Sequence, residues 1–409
     1  MSWILDKHTL GNGMVVLGEP MEAVESAAFS IMIPAGAARL PDGCCGAGGV
    51  ILDWIFRGAG KYSSRQLSDA LDGLGVHRNG TVGTSYITLG AALEASNLSR
   101  ALELYADIIC NAHLKDDQFD LARSLTMEEV KSLDDDPRQK VMLNLREQFF
   151  AHPLGRSTVG VLSELEKLDA DQVRSLVRDH FDISNTIFSV AGKYDFDAVC
   201  TQLEDSFGLC NTGSAQEIIL GSSGSKYTHL PNNGAQVHIG LVTPTITPDH
   251  PDYYAMRVAI GILSGGMSSR LFNEVREKRG LCYAVGARYH GLKQAAGILC
   301  YAGTTPDKAQ ETARVIIEQF KGLSSDLTEQ ELHRAQVGLK SSLIMQSESS
   351  SSRAGSLGGD FYMYGRVRSL DEIKKGIDDV TIDSIKSFIN ANEFNDFTAV
   401  TIGPESIEI

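Results

Sequence analysis

The chain has 409 residues, and at roughly 150 residues per domain it is long enough for two or three domains, each with its own core. Hydrophobic residues make up 43% and charged residues 22%, with 40 Gly and 11 Pro, which excludes disordered and collagen-like chains. Thirty-seven Lys and Arg against 52 Asp and Glu give a formal charge of −15, a field that repels phosphate backbones and anionic lipid and argues against nucleic acid as a partner.

The chain starts MSWILDKHTL, so Asp6 and Lys7 follow directly on Trp3, Ile4 and Leu5, and no run approaches the 18 or more apolar residues of a spanning helix. Neither a signal peptide nor a membrane anchor is expected. The first half then reads as strands at about 8–18 and 27–33, helices at about 46–58 and 64–74, and strands again at about 76–93. Ala27 to Ile33 and Tyr86 to Leu93 have the short apolar and β-branched patterning of a sheet. Ala101 to Ala112 and Leu121 to Leu133 carry apolar residues at helical spacing. Helices fill about 97–182, and a short strand, Thr186 to Gly192, closes the half. Strands clustered early with helices massed after them predict an α+β fold, a mostly antiparallel sheet with helices packed on one face. The seven cysteines are odd in number and sit in apolar segments such as Ile108-Ile109-Cys110 and Ile298-Leu299-Cys300. That pattern fits reduced buried thiols and a cytoplasmic protein better than a disulfide framework.

Set against itself at an offset of about 212 residues, the chain repeats. Leu168-Asp169-Ala170-Asp171-Gln172-Val173 falls on Val380-Thr381-Ile382-Asp383-Ser384-Ile385. The closing strand at Thr186 to Gly192 falls on Phe397 to Gly403, and Asp117-Gln118-Phe119 falls on Glu329-Gln330-Glu331. Two such repeats are too few for a solenoid and predict two homologous domains, 1–210 and 226–409. The segment 211–225, NTGSAQEIILGSSGS, reads as the linker.

The stretch Leu263 to Val285, LSGGMSSRLFNEVREKRGLCYAV, resembles the C-terminal-domain signature of the insulinase-like zinc metallopeptidases, the pitrilysin family, in its short form of bacterial and mitochondrial processing peptidases. The likeness extends through Ser63 to Leu67, Met127 to Lys131, Asp135-Asp136-Pro137 and His152 to Arg156. It implies that Arg276 and Tyr283 act on the scissile carbonyl, as donors that stabilise an oxyanion without titrating near neutrality. Read without the resemblance, Arg276 would pair with Glu274 or Glu277 and Tyr283 would be an ordinary strand aromatic. Phe272, one turn before Arg276, is expected to line a side-chain pocket or to be a core aromatic. Asn79 falls where the family has an edge-strand Asn that pairs with substrate backbone, a place where a peptide can add as an extra strand.

The resemblance also places an inverted zinc motif, H-x-x-E-H, just before Phe56-Arg57-Gly58, with a Glu some 76 residues further on as third ligand. In this sequence the motif positions hold Gly49, Leu52 and Asp53, and the third falls on Glu129. Both imidazoles and the general base are missing, so no metal is expected on this chain; two carboxylates suit a hard, oxygen-seeking ion more than zinc. Cys44, Cys45 and His77 do not replace the motif, because adjacent Cys on extended backbone point to opposite sides and no C-x-x-C exists. His152 reads as a turn residue.

Short members of this family pair, with themselves or with a related chain, and in some heterodimers one subunit carries zinc while the other carries the Arg and Tyr. The sequence therefore predicts a non-catalytic, Arg/Tyr-supplying subunit of a dimeric peptidase that acts on peptides or unfolded segments, with zinc in a homologous partner. A purely structural or peptide-binding homologue is the alternative. An active zinc endopeptidase with a rebuilt site is the third.

Overall fold

A computed structural model describes residues 3–208, 210 and 213–409. Two residues of the expected linker, Asn211 and Thr212, lie outside the described residues.

The first half of the chain begins with β1 (Asp6–Thr9), β2 (Val15–Pro20) and β3 (Ser26–Ile33), followed by α1 (Ala47–Trp54), the two-residue strands β4 (Gly58–Ala59) and β5 (Tyr62–Ser63), and α2 (Ser64–Gly73). Strands β6 (His77–Val82) and β7 (Ile87–Glu94) come next, then α3 (Leu98–Cys110), α4 (Asp116–Ser132), α5 (Pro137–Phe149), α6 (Leu162–Leu165) and α7 (Ala170–His180). Strand β8 (Ile187–Gly192) and α8 (Phe196–Phe207) end the half. The second half runs β9 (Tyr227–Pro231), β10 (Val237–Thr245), α9 (Tyr253–Ser264), β11 (Cys282–Gly291) and β12 (Ala296–Thr304). It continues with α10 (Ala309–Lys321), α11 (Glu329–Ser347), α12 (Ser350–Tyr364), α13 (Leu370–Asp378) and α14 (Ile382–Ala391), and closes on β13 (Thr398–Gly403).

One sheet has the order β1-β2-β8-β3-β7-β6 and the other, read from its far edge, β9-β13-β10-β12-β11. Leaving out β1, the two orders are the same. Each sheet contains one parallel pair, β2 with β8 and β9 with β13, and is otherwise antiparallel. The matched segments found in the sequence are matched helix starts. Asp169 accepts the Gln172 N–H and completes a capping box at α7, and Thr381 does the same with Ser384 at α14. Each helix then buries its apolar stripe, Val173 and Leu176 in one and Ile385, Phe388 and Ile389 in the other.

The chain divides into two compact units that interleave in sequence: 1–132, 152–221 and 346–367 form the first, and 133–151, 222–345 and 368–409 the second. Helix α12 thus belongs to the first unit and α5 to the second. The main helical layer of each unit lies on one sheet face, and one further helix covers part of the other. In the first unit Ala27, Phe29, Ile31 and Ile33 of β3 join the main core, while Ala28 and Met32 point to α12. That two-sided burial explains why β3 reads as an apolar run interrupted at Ser30 instead of an alternating one. Gly358 lets α12 approach closely, since a Cβ there would lie 2.8 Å from Met32 Sδ. Arg353 of α12 donates Nε to Glu19 of β2 at 2.9 Å, with side chains only 5% and 11% exposed. In the second unit Val141 and Leu145 of α5 pack on Val242, Leu299, Val400 and Ile402.

One sequence expectation is corrected. Cys110, at the end of α3, and Cys210, beyond α8, form a disulfide with Cα atoms 5.5 Å apart at a sequence separation of 100. The two helices pack side by side, a proximity that cysteine spacing along the chain does not reveal. Cys44, Cys45, Cys200, Cys282 and Cys300 are free thiols. Among the described residues no helix is long and apolar enough to cross a membrane.

Candidate functional site

Helix α1 carries the positions of the inverted zinc motif, and none of them holds an imidazole. Gly49 faces α4, and a Cβ there would sit 3.0 Å from Thr126 Cγ2. Leu52 lies against Gly80 of β6, where a Cβ would be 2.7 Å from Leu52 Cδ1. The carboxylate of Asp53 is gripped by Arg57, which donates Nε at 2.9 Å to one oxygen and an amino group at 2.8 Å to the other. Glu129 is exposed on α4. Cys45 is buried and its Sγ donates to the Ser157 carbonyl at 3.4 Å, whereas His77 is exposed on β6. Among the described residues, no group of three or more His, Cys, Asp or Glu side chains is placed to hold a metal ion. A zinc ion needs three or four such donors, so the side chains at the motif positions do not fit one.

The Arg and Tyr of the signature sit on irregular backbone, Arg276 in the turn before β11 and Tyr283 at the start of that strand. A π-helical turn, Phe272–Glu277, carries Arg276, and Gly280 at φ 58 ends it before the strand. The β11–β12 register slips between Cys282 and Ala284, so Tyr283 occupies a bulge and has no partner across the ladder. Bulges of this kind re-aim a side chain. The Tyr283 ring is 65% exposed.

Arg276 is also exposed, its guanidinium 4.8 Å from the centre of the Phe272 ring. The bland expectation, pairing with Glu274, is not met. Glu274 accepts from Lys278 at 2.5 Å and from Arg279 at 2.6 Å, and those two cations hold its carboxyl below the usual range. Among the described residues Arg276 has no ion pair.

Asn79 lies exposed on β6, the edge strand of its sheet. Its Oδ1 folds over its register partner Gly90, where a Cβ would come within 2.1 Å. Glycine opposite is what allows that side chain to lie back along the sheet. Phe272 lines a groove of about 810 Å³ within the second unit. The groove itself was missed in the sequence, because its other wall is α5, whose membership of the second unit no local pattern announces.

The Insulinase (Peptidase family M16) profile matches residues 15–161, and the Peptidase M16 inactive domain profile matches residues 167–339. An uncharacterized zinc protease of Mycobacterium leprae is 26% identical over 417 residues, covering 97% of this chain and 91% of that one. One from Bacillus subtilis is 25% identical over 405 residues, covering 98% of both. The peptidase M16 inactive domain from Pseudomonas fluorescens superposes with a TM-score of 0.90 at 18% identity over 99% of each chain. A chain of Complex III2 from Candida albicans does so with a TM-score of 0.84 at 18% identity, over 98% of this chain and 96% of that one. With duplicated α+β halves in the same strand order and both profiles matched along most of its length, this chain belongs to the insulinase family of peptidases, M16.

Proposed function

We propose that this chain is the non-catalytic subunit of a dimeric M16 peptidase acting on peptides or unfolded segments, and that it supplies Arg276 and Tyr283 to a zinc site held by a homologous partner. The observation that carries the reading is the contrast between two sets of positions. The motif positions on α1 hold Gly49, Leu52 and an Asp53 already paired with Arg57, leaving Glu129 alone at the third ligand position, while Arg276 and Tyr283 stay exposed. A guanidinium and a phenol donate hydrogen bonds to an oxyanion without changing protonation near neutral pH, which is the role proposed for them. Asn79 on its sheet edge is proposed to meet the substrate backbone.

A second reading, a purely structural homologue, is favoured by the likeness to a chain of Complex III2 from Candida albicans. A rebuilt zinc site is disfavoured by the donor set described above. The expected cytoplasmic location rested on reduced thiols; the Cys110–Cys210 bond removes that ground, and no compartment is proposed.

The test is purification of the chain alone and with whatever homologue co-purifies. Alone, it should carry far less than one zinc per chain and hydrolyse no peptide; with the homologue it should form a chelator-sensitive peptidase. Stoichiometric zinc on the isolated chain, lost together with activity on adding chelator, would overturn the proposal.

A further inference from the structure

Inside the second unit, α5 and β11 wall a groove whose charge is opposite to that of the chain as a whole. Arg138, Met142 and Arg146 follow one another at intervals of four along α5, so they share one helix face and span about 12 Å at 1.5 Å per residue. The facing strand contributes Ala284, Gly286 and Arg288. Alanine and glycine leave the space open, and the floor is Leu299 and Tyr301 of β12, which pair in register with Arg288 and Gly286. The Arg138 guanidinium stacks 5.0 Å from the Tyr301 ring centre. Against three guanidiniums the lining has a single carboxylate, Asp136, and its Oδ1 accepts the Gln139 N–H at 2.9 Å as the cap of α5. In a protein of net charge −15 this is a local concentration of positive charge.

We propose that this groove is a carboxylate-binding site for peptides, in which the guanidiniums of Arg138, Arg146 and Arg288 attract the carboxylate and the apolar lining holds the neighbouring side chains. Guanidiniums present planar forks that match a carboxylate's two oxygens, and the groove's volume of about 810 Å³ suits a ligand of a few residues. The electrostatics inside the groove agree. Burial opposes ionisation of Arg146, and the nearby Arg288 opposes it further. His290, two residues along β11, is pushed down to about 4, by burial first and then by Arg146 and Arg288. At neutral pH its imidazole is therefore uncharged, which marks the positive field that these arginines set up in the groove.

The inference deepens the peptide-handling part of the proposed function, but its test uses the chain alone and measures no turnover. Failure of one is thus separable from failure of the other. Fluorescence anisotropy would compare three labelled hexapeptides of alanine and leucine: one with a free C-terminal carboxylate, one amidated, and one amidated with a single internal aspartate. At least one carboxylate-bearing peptide should bind about ten-fold or more tightly than the uncharged amide, and the tighter of the two identifies terminal or side-chain recognition. Arg288→Gln and, separately, Arg138→Gln should reduce or abolish that preference while the melting temperature stays near wild type; both avoid the more deeply buried Arg146. Equal affinity for all three peptides, or a preference that survives both substitutions, would overturn the proposal.

Discussion

Asp53 lies in the last turn of α1 and Arg57 three residues beyond its end, and hydrogen bonds of 2.8 and 2.9 Å between them tie up the one carboxylate left in the helix's part of the ligand motif. The loss of the imidazoles was legible in the sequence. The exposure of Tyr283 was not: it depends on a bulge at Cys282/Ala284, and a one-residue slip in register leaves no mark in the composition of β11. His290 is a second residue whose behaviour is set by its surroundings. Its ring packs edge-on against Phe150 at 5.4 Å, and the folded protein keeps its pKa near 4 instead of 6.5. The unfolded chain therefore binds the proton first as pH falls. This group's contribution is unaffected above pH 6.5 and turns progressively against folding between about 6.5 and 4, on the order of 3 kcal/mol at its limit. Urea unfolding at pH 7 and pH 4.5 should show His290→Phe, which keeps a ring and cannot titrate, losing less stability on acidification than wild type. Equal losses would contradict the assignment.

At the scale of elements, the helices and strands followed from periodicity, but their partners did not. The apolar stripe of α5 says that one face is buried; it does not say that the burying sheet is the one containing β10, β12 and β13. The same holds for α12, which packs on the sheet of the first unit through Leu357 and Gly358 and through the ion pair of Arg353 with Glu19. A buried pair is poor evidence of stability in itself, yet breaking one partner strands the other charge in an apolar setting. Glu19→Gln should cost about 3–5 kcal/mol in urea denaturation, whereas Glu19→Leu combined with Arg353→Met should recover most of that loss. If the double variant were as unstable as the single one, α12 would be held by something other than charge neutrality. The Cys110–Cys210 bond belongs to the same class of feature, because α3 and α8 are neighbours in the fold and distant in the sequence.

The whole molecule is where the sequence was most informative. Strands β8 and β13 begin at Ile187 and Thr398, close to the offset found by aligning the chain with itself, and the two sheets repeat one strand order. A duplicated fold with a degenerate ligand motif in one half and an exposed Arg and Tyr in the other is the ground on which we propose that this chain completes another chain's site. The most direct measurement is kcat of the pair reconstituted from wild-type zinc-bearing partner and variants of this chain. Tyr283→Phe removes one oxyanion donor and should lower kcat by about 10² to 10³, or roughly 2.7–4 kcal/mol, with little change in KM; Arg276→Ala should cost at least as much. If kcat were unchanged for both, neither residue would contribute to the chemistry, and the structural reading would stand in place of the catalytic one.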